Sequence, residues 1–274
     1  MSTETRSARA PHALLDEAYH DARTLILQLR KHCDAERVHD ARVAVRRLRT
    51  TLAALAPGLP AQRIDSFRPK LRRLTAALAP ARDAHVRKEL LVPLLRAQRA
   101  RCVAAQREIK LIEAQERRTR RRAQASLQTA QFQERLRHAD QSLQQLLAKS
   151  PPVRKPKRLL RQALLRHWIK LARALDSDKT SPDALHAMRI RVKKCRYLLE
   201  AYDRSHAHRT GKWLASLQDC LGQLHDITQA EAWLKTEHNG DAIATILQAP
   251  LEKRTLSLLS QLKRIRRARP SYVL

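Results

Sequence analysis

The sequence predicts an all-α protein. Only four glycines occur among 274 residues, β-branched runs are scarce, and Ala, Leu, Arg and Gln dominate. Two segments also place apolar and charged residues on separate faces when wound at helical pitch.

Read in order, helices are expected near 12–32, 35–56, 62–79, 83–107, 108–124 and 126–148, then near 157–175, 182–204, 207–222, 226–238, 241–248 and 250–268. Asp34 ahead of Ala35-Glu36 supplies an N-cap, and Ser181 followed by Pro182 supplies an N-cap and N1 pair. Pro57-Gly58-Leu59-Pro60 is a strong break. Ser150-Pro-Pro-Val-Arg-Lys-Pro156 is too proline-rich to be helix and too short to separate its neighbours far. It divides the chain into a first helical repeat, 1–150, and a second, 151–274, which together make one domain.

The charge is organised by a duplication. His39-Asp-Ala-Arg42-Val-Ala-Val-Arg46-Arg47-Leu-Arg49 and His186-Ala-Met-Arg189-Ile-Arg191-Val-Lys193-Lys194-Cys-Arg196 each carry a histidine followed by basic residues three, seven, eight and ten positions later. With His39 at 0°, Arg42, Arg46 and Arg49 fall at roughly 300°, 340° and 280°. Val38, Ala41, Val45, Leu48 and Leu52 cluster at roughly 180° to 260°. Leu185, Met188, Val192, Cys195 and Leu199 take the apolar angles in the second copy. Like charges at i,i+3 and i,i+4 destabilise a free helix, and a bound anion would offset that cost. Both histidines lie five residues beyond their cap, near the positive end of the helix dipole.

Lys and Arg outnumber Asp and Glu 56 to 26, for a formal charge of +30. Residues 1–150 hold 31 basic and 15 acidic residues and the remainder 25 and 11, so the excess is not a basic tail. Such a field points to a polyanion: nucleic acid, an anionic membrane or a phosphate polymer. Cys33, Cys102, Cys195 and Cys220 show no CxxC spacing and read as reduced core residues of a cytosolic protein. No signal peptide or transmembrane run is legible, so a cytoplasmic location is expected.

A weaker repeat follows each stripe. Leu74-Thr-Ala-Ala-Leu78-Ala-Pro-Ala-Arg82-Asp83 can be laid on Leu217-Gln-Asp-Cys-Leu221-Gly-Gln-Leu-His225-Asp226. The doubled His-x-x-Arg-[Val/Ile]-x-Val-[Arg/Lys]-[Arg/Lys]-x-Arg motif, with Arg196-Tyr197-Leu-Leu-Glu200 and Leu221-Gly222-x-Leu-His225-Asp226, resembles the CHAD domain, the conserved-histidine α-helical family. The resemblance implies two four-helix bundles related by a pseudo-twofold axis, with basic helices lining a central channel that binds inorganic polyphosphate. The purpose of such binding is left open among targeting to polyphosphate granules, regulation of a polyphosphate enzyme and nucleoid association. The first half departs from the pattern: Ala79-Pro80 replaces Gly222-Gln223, Arg82 stands for His225, and Thr50 and Ala53 stand for Tyr197 and Glu200. No ExExK signature of the triphosphate-tunnel domain that accompanies many relatives occurs, so a stand-alone module is expected.

Other chemistries fit less well. A metal at His39 or His186 would be repelled by the arginines three and seven positions on, and His206-Ala-His208 lacks a third ligand, so no metal and no cofactor is expected. The chain has no GxxxxGK[ST] loop and no HExxH, and adjacent His225 and Asp226 point about 100° apart on a helix. A polyphosphate-processing or metal-dependent enzyme is therefore the third choice, and no catalytic residue is assigned. Nucleic acid is the nearer competitor: Arg118-Thr-Arg120-Arg121-Arg122 and Lys263-Arg-Ile-Arg266-Arg267-Ala-Arg269 suit phosphates in general. Yet the nine aromatics are scattered, with Trp168, Trp213, Trp233, Tyr197 and Phe67 at positions that read as core, which leaves little to stack bases. The expected polyphosphate lining is His39, Arg42, Arg46, Arg49, His186, Arg189, Lys193 and Arg196, with Arg47 and Lys194 at its edge and Lys70, Arg73, Arg82 and Lys212 as flanking contacts. Nonspecific RNA or DNA is a secondary partner, no membrane partner is expected, and the oligomeric state is left open.

Overall fold

The computed structural model describes residues 13–98, 103–150, 153, 155–177, 179–203, 209–238 and 240–270, and no strand occurs among them. The α-helices are α1 (Ala13–Lys31), α2 (Ala35–Leu55), α3 (Ala61–Leu74), α4 (Ala79–Gln98), α5 (Val103–Gln128), α6 (Ala130–Ala148), α7 (Pro156–Asp176), α8 (Pro182–Tyr202), α9 (Arg209–Glu237) and α10 (Ala242–Arg267). Cys102, His206, His208 and, from the proline-rich stretch, Pro151, Pro152 and Arg154 lie outside the described residues. The helices form two compact units, Met1–Ala77 with Gln124–Ala163, and Leu78–Ala123 with Leu164–Leu274. A cut at residue 150 thus falls inside the first unit, while α4 and most of α5 belong to the second.

In the first unit α1 packs along α2 and α3 along α6. Their apolar stripes meet through Leu15, Ile26, Leu48, Leu52, Phe67 and Leu71, all fully buried. Buried Tyr19 sets its ring 5.9 Å from Phe67. Its hydroxyl donates to Asp140 of α6 at 2.7 Å, and Arg23 Nε donates to the same oxygen at 2.9 Å. Lys70 Nζ donates to Ser142 Oγ at 2.5 Å, a second polar tie between α3 and α6. Gly58 is needed by close packing: a Cβ there would lie 2.9 Å from Val153 Cγ1.

In the second unit α9 carries α8 and α10, and α4 packs against α9 and α10. Trp213 Nε1 donates to the Ile265 carbonyl at 2.8 Å, Arg266 to the Ser177 carbonyl at 2.8 Å, and Arg269 to Asp176 at 2.9 Å. Part of the closing basic run therefore fastens α10 to the end of α7.

Several expected breaks are absent. α9 runs unbroken through Gly222, because one mid-helix glycine costs about 1 kcal/mol and buried Leu217, Leu221, Leu224 and Ile227 hold the helix on both sides. α10 continues through Pro250 between buried Leu247 and Leu251, and α5 continues past residue 107 between buried Ala105 and Ile112. One break comes early: α3 ends at Leu74, a 3₁₀ turn spans Ala76–Leu78, and α4 starts at Ala79. Pro80 is tolerated there because first-turn N–H groups have no helical partner. α2 and α8 are both 21 residues long, and α5 and α10 both 26.

Candidate functional site

The first stripe lies on α2, in the first unit. Asp34 caps the helix by accepting from the Arg37 amide at 2.8 Å. Val38, Ala41, Val45, Leu48 and Leu52 are buried, as the helical wheel requires, which turns His39 and Arg47 to solvent and leaves Arg42 and Arg46 half-buried. Arg49 has its proton affinity lowered by burial, then by Arg72 and Arg46. The α3 residue that joins the stripe electrostatically is thus Arg72. Arg73 is exposed on the same helix, and the Lys70 amine is engaged by Ser142.

The second stripe lies on α8, in the second unit. Ser181 caps it, accepting from the Ala184 amide at 3.4 Å, and Pro182 occupies the first turn. Met188, Val192, Cys195 and Leu199 are buried, and His186 is exposed. Arg196 donates to Glu200 one turn on, at 2.8 Å, which neutralises the last cation of this copy. Lys194 is exposed, and burial, Lys194, Lys170 and Arg166 together push the His167 pKa down to about 4.

α9 adds residues that spacing on α8 alone does not reveal. His186 Nδ1 lies 3.4 Å from His225 Nδ1, with ring centroids 5.0 Å apart. Burial lowers the His225 pKa to about 4, reinforced by Arg189, His186 and Lys193. Burial raises the pKa of Asp226, against the opposing pull of Arg189, Arg82 and Lys193, while nearby Asp83 pushes in the same direction as burial. The weaker repeat, which ends in Arg82-Asp83 and His225-Asp226, therefore meets the second stripe: Arg82 faces Asp226. Beside them a cleft of about 170 Å³ is walled by Arg82, His85, Glu89, Gln223, Asp226 and Arg254. Lys212 is exposed in the first turn of α9.

Chemically, each stripe by itself sets forked and point cations beside imidazole, donors suited to several phosphate oxygens at once. Cys33, Cys195 and Cys220 are buried, and burial pushes the Cys195 thiol up to about 12, so it offers no thiolate. Among the described residues no group of three or more His, Cys, Asp and Glu could hold a metal ion, and no helix is long and apolar enough to cross a membrane.

Comparison with known proteins places this architecture. The chain is similar in structure to PptA from Streptomyces chartreusis, at 19% identity and a TM-score of 0.70, over 93% of this chain and 98% of that one. It is also similar to the CHAD domain from the plant Ricinus communis, at 21% identity and a TM-score of 0.65, over 96% and 87%. No curated protein matches by sequence. The family model of the CHAD domain matches residues 13–235, which with the all-helical fold and the doubled histidine motif shows that the chain belongs to the CHAD domain family.

Proposed function

We propose that this protein binds inorganic polyphosphate through its two basic stripes and acts as a binding or targeting module without catalysing turnover of the polymer. The observation that carries the reading is the doubled stripe with its recruits: Arg72 stands beside Arg49 and Arg46 in one unit, and His225 beside His186, Arg189 and Lys193 in the other. Cations crowded this way repel one another until an anion with many closely spaced charges arrives. Membership of the CHAD domain family supports the polymer as that anion. A cytoplasmic protein associated with polyphosphate granules is the corresponding cellular reading.

Nonspecific nucleic-acid binding is the second reading, and the exposed Arg117, Arg118, Arg121 and Arg122 on α5 favour it. Among the described residues it finds few stacking surfaces: Tyr19, Phe67, Phe132, Tyr197 and Trp213 are buried, Tyr202 is half-buried, half-buried Trp168 is paired with Trp213, and Trp233 lies under Arg87.

Both stripes serve one chain in this proposal. Replacing Arg42 and Arg46 together by Ala should weaken long-chain polyphosphate binding by about tenfold or more, although the second stripe is intact, because the remaining contacts lose the effective concentration of the missing ones. Half the stoichiometry at unchanged affinity would show two independent sites and overturn the one-chain reading.

A further inference from the structure

We infer that His186 and His225 act as one phosphate-binding unit that takes up a single shared proton when the anion binds. The inference rests on the polyphosphate reading and adds a residue and a proton to it.

The geometry comes first. The two rings meet Nδ1 to Nδ1 at 3.4 Å, one from exposed His186 in the second turn of α8, the other from half-buried His225 on α9. A contact between two like ring nitrogens is favourable only when one carries a hydrogen and the other a lone pair. In the neutral pair the tautomers must therefore differ. The ring that donates through Nδ1 leaves a bare Nε2, and the ring that accepts carries its hydrogen on Nε2. Only one of the two outward nitrogens can then donate to a phosphate oxygen. Adding one proton at the bare Nε2 changes this: the Nδ1–H···Nδ1 contact is kept and both Nε2 atoms become donors. A second proton would have to enter between the facing Nδ1 atoms and would set N–H against N–H. The pair thus holds zero or one added proton, drawn from solvent, and titrates as a unit.

The surroundings decide when it is taken. On α8 the pair faces Arg189 and Lys193, whose like charge, with burial, holds His225 neutral in the free protein. From α9 itself comes Asp226, next to His225, and from α4 come Arg82 and Asp83, which act on Asp226. On α10, Arg254 walls the cleft beside Asp226 and donates to Gln223 of α9 at 3.3 Å. Cations dominate, so the empty site repels the proton. A phosphate chain laid on Arg189 and Lys193 reverses the local field and supplies acceptors for both Nε2–H groups.

Titration calorimetry of the full chain with long-chain polyphosphate at pH 7.5, in buffers of different ionisation enthalpy, counts the protons. The wild type should take up protons, and His186→Gln, His225→Gln and the double variant should each lack the same increment of about one proton. Exposed His186 makes its variant safe for folding, and circular dichroism checks the other two. Increments that add in the double variant would show two independent histidines, and an uptake unchanged in all variants would show neutral spectators; either overturns the inference while leaving polyphosphate binding intact. A wild type that fails to bind overturns the polyphosphate reading itself.

Discussion

Arg196 on α8 is paired with Glu200 at 2.8 Å, whereas Arg49, its counterpart on α2, has Ala53 at the matching position and stands among Arg46 and Arg72. The two copies of the stripe share a pattern but not a charge balance. An arginine already satisfied by a half-buried carboxylate has less to gain from phosphate than one crowded by other cations.

Arg49→Ala should therefore weaken polyphosphate binding several-fold more than Arg196→Ala, and Glu200→Gln should tighten it by releasing Arg196. Equilibrium binding of the three variants at fixed salt checks the order. Equal losses from both arginines would show that the Glu200 pair does not matter.

Arg72 and Lys70 lie on the same helix but do different work. Arg72→Ala should lower polyphosphate affinity with little change in Tm, since it removes a repulsive neighbour of Arg49. Lys70→Ala should instead lower the Tm with little change in affinity, because its amine ties α3 to Ser142 of α6. Binding and thermal unfolding measured on both variants separate the two roles.

Asp140 accepts from both Tyr19 and Arg23, and burial raises the tyrosine pKa so that its hydroxyl stays a donor. Asp140→Ala strands a buried hydroxyl, so chemical denaturation should show a loss of about 1–3 kcal/mol. Tyr19→Phe in the Asp140→Ala background should recover part of it.

Acid should destabilise the free protein in a defined window. His167 and His225 both sit at about 4 in the folded chain against an ordinary 6.5. A histidine held neutral by the fold contributes its full stability above about 6.5 and loses it as pH falls toward about 4, because the unfolded chain binds more protons there. The Tm should fall through that range, and His167→Gln should flatten the fall. Polyphosphate acts in the opposite sense on the His186–His225 pair, so its affinity should rise as pH drops from about 8 to about 6 around the reference histidine value.

Much of this was legible in the sequence. Val38, Ala41, Val45, Leu48 and Leu52 on α2, and Met188, Val192, Cys195 and Leu199 on α8, are buried where the wheel puts them, with Leu185 in the first turn of α8 only half-buried, and Asp34 and Ser181 cap as their chemistry demands. Local rules failed where tertiary packing outweighed them. Gly222 and Pro250 read as breaks because propensity counts only their own cost, not the buried leucines on either side. The grouping of α4 with the second unit depends on long-range contacts that no local pattern carries. His225 was visible in the weaker repeat, yet its partner His186 lies 39 positions away on another helix, beyond the reach of any single-helix wheel. Arg72 was missed for the same reason, since its relation to Arg49 is made between α3 and α2.

The central claim is that a phosphate polymer, and not a nucleic acid, is the matched ligand. Competition between long-chain polyphosphate and single-stranded RNA at equal phosphate concentration tests it most directly, in about 0.15 M salt, where surface charges are screened beyond roughly 8 Å. The doubled stripe and the scarcity of exposed aromatics among the described residues predict that polyphosphate displaces RNA and that RNA does not displace polyphosphate. RNA that displaces bound polyphosphate under those conditions would contradict the account.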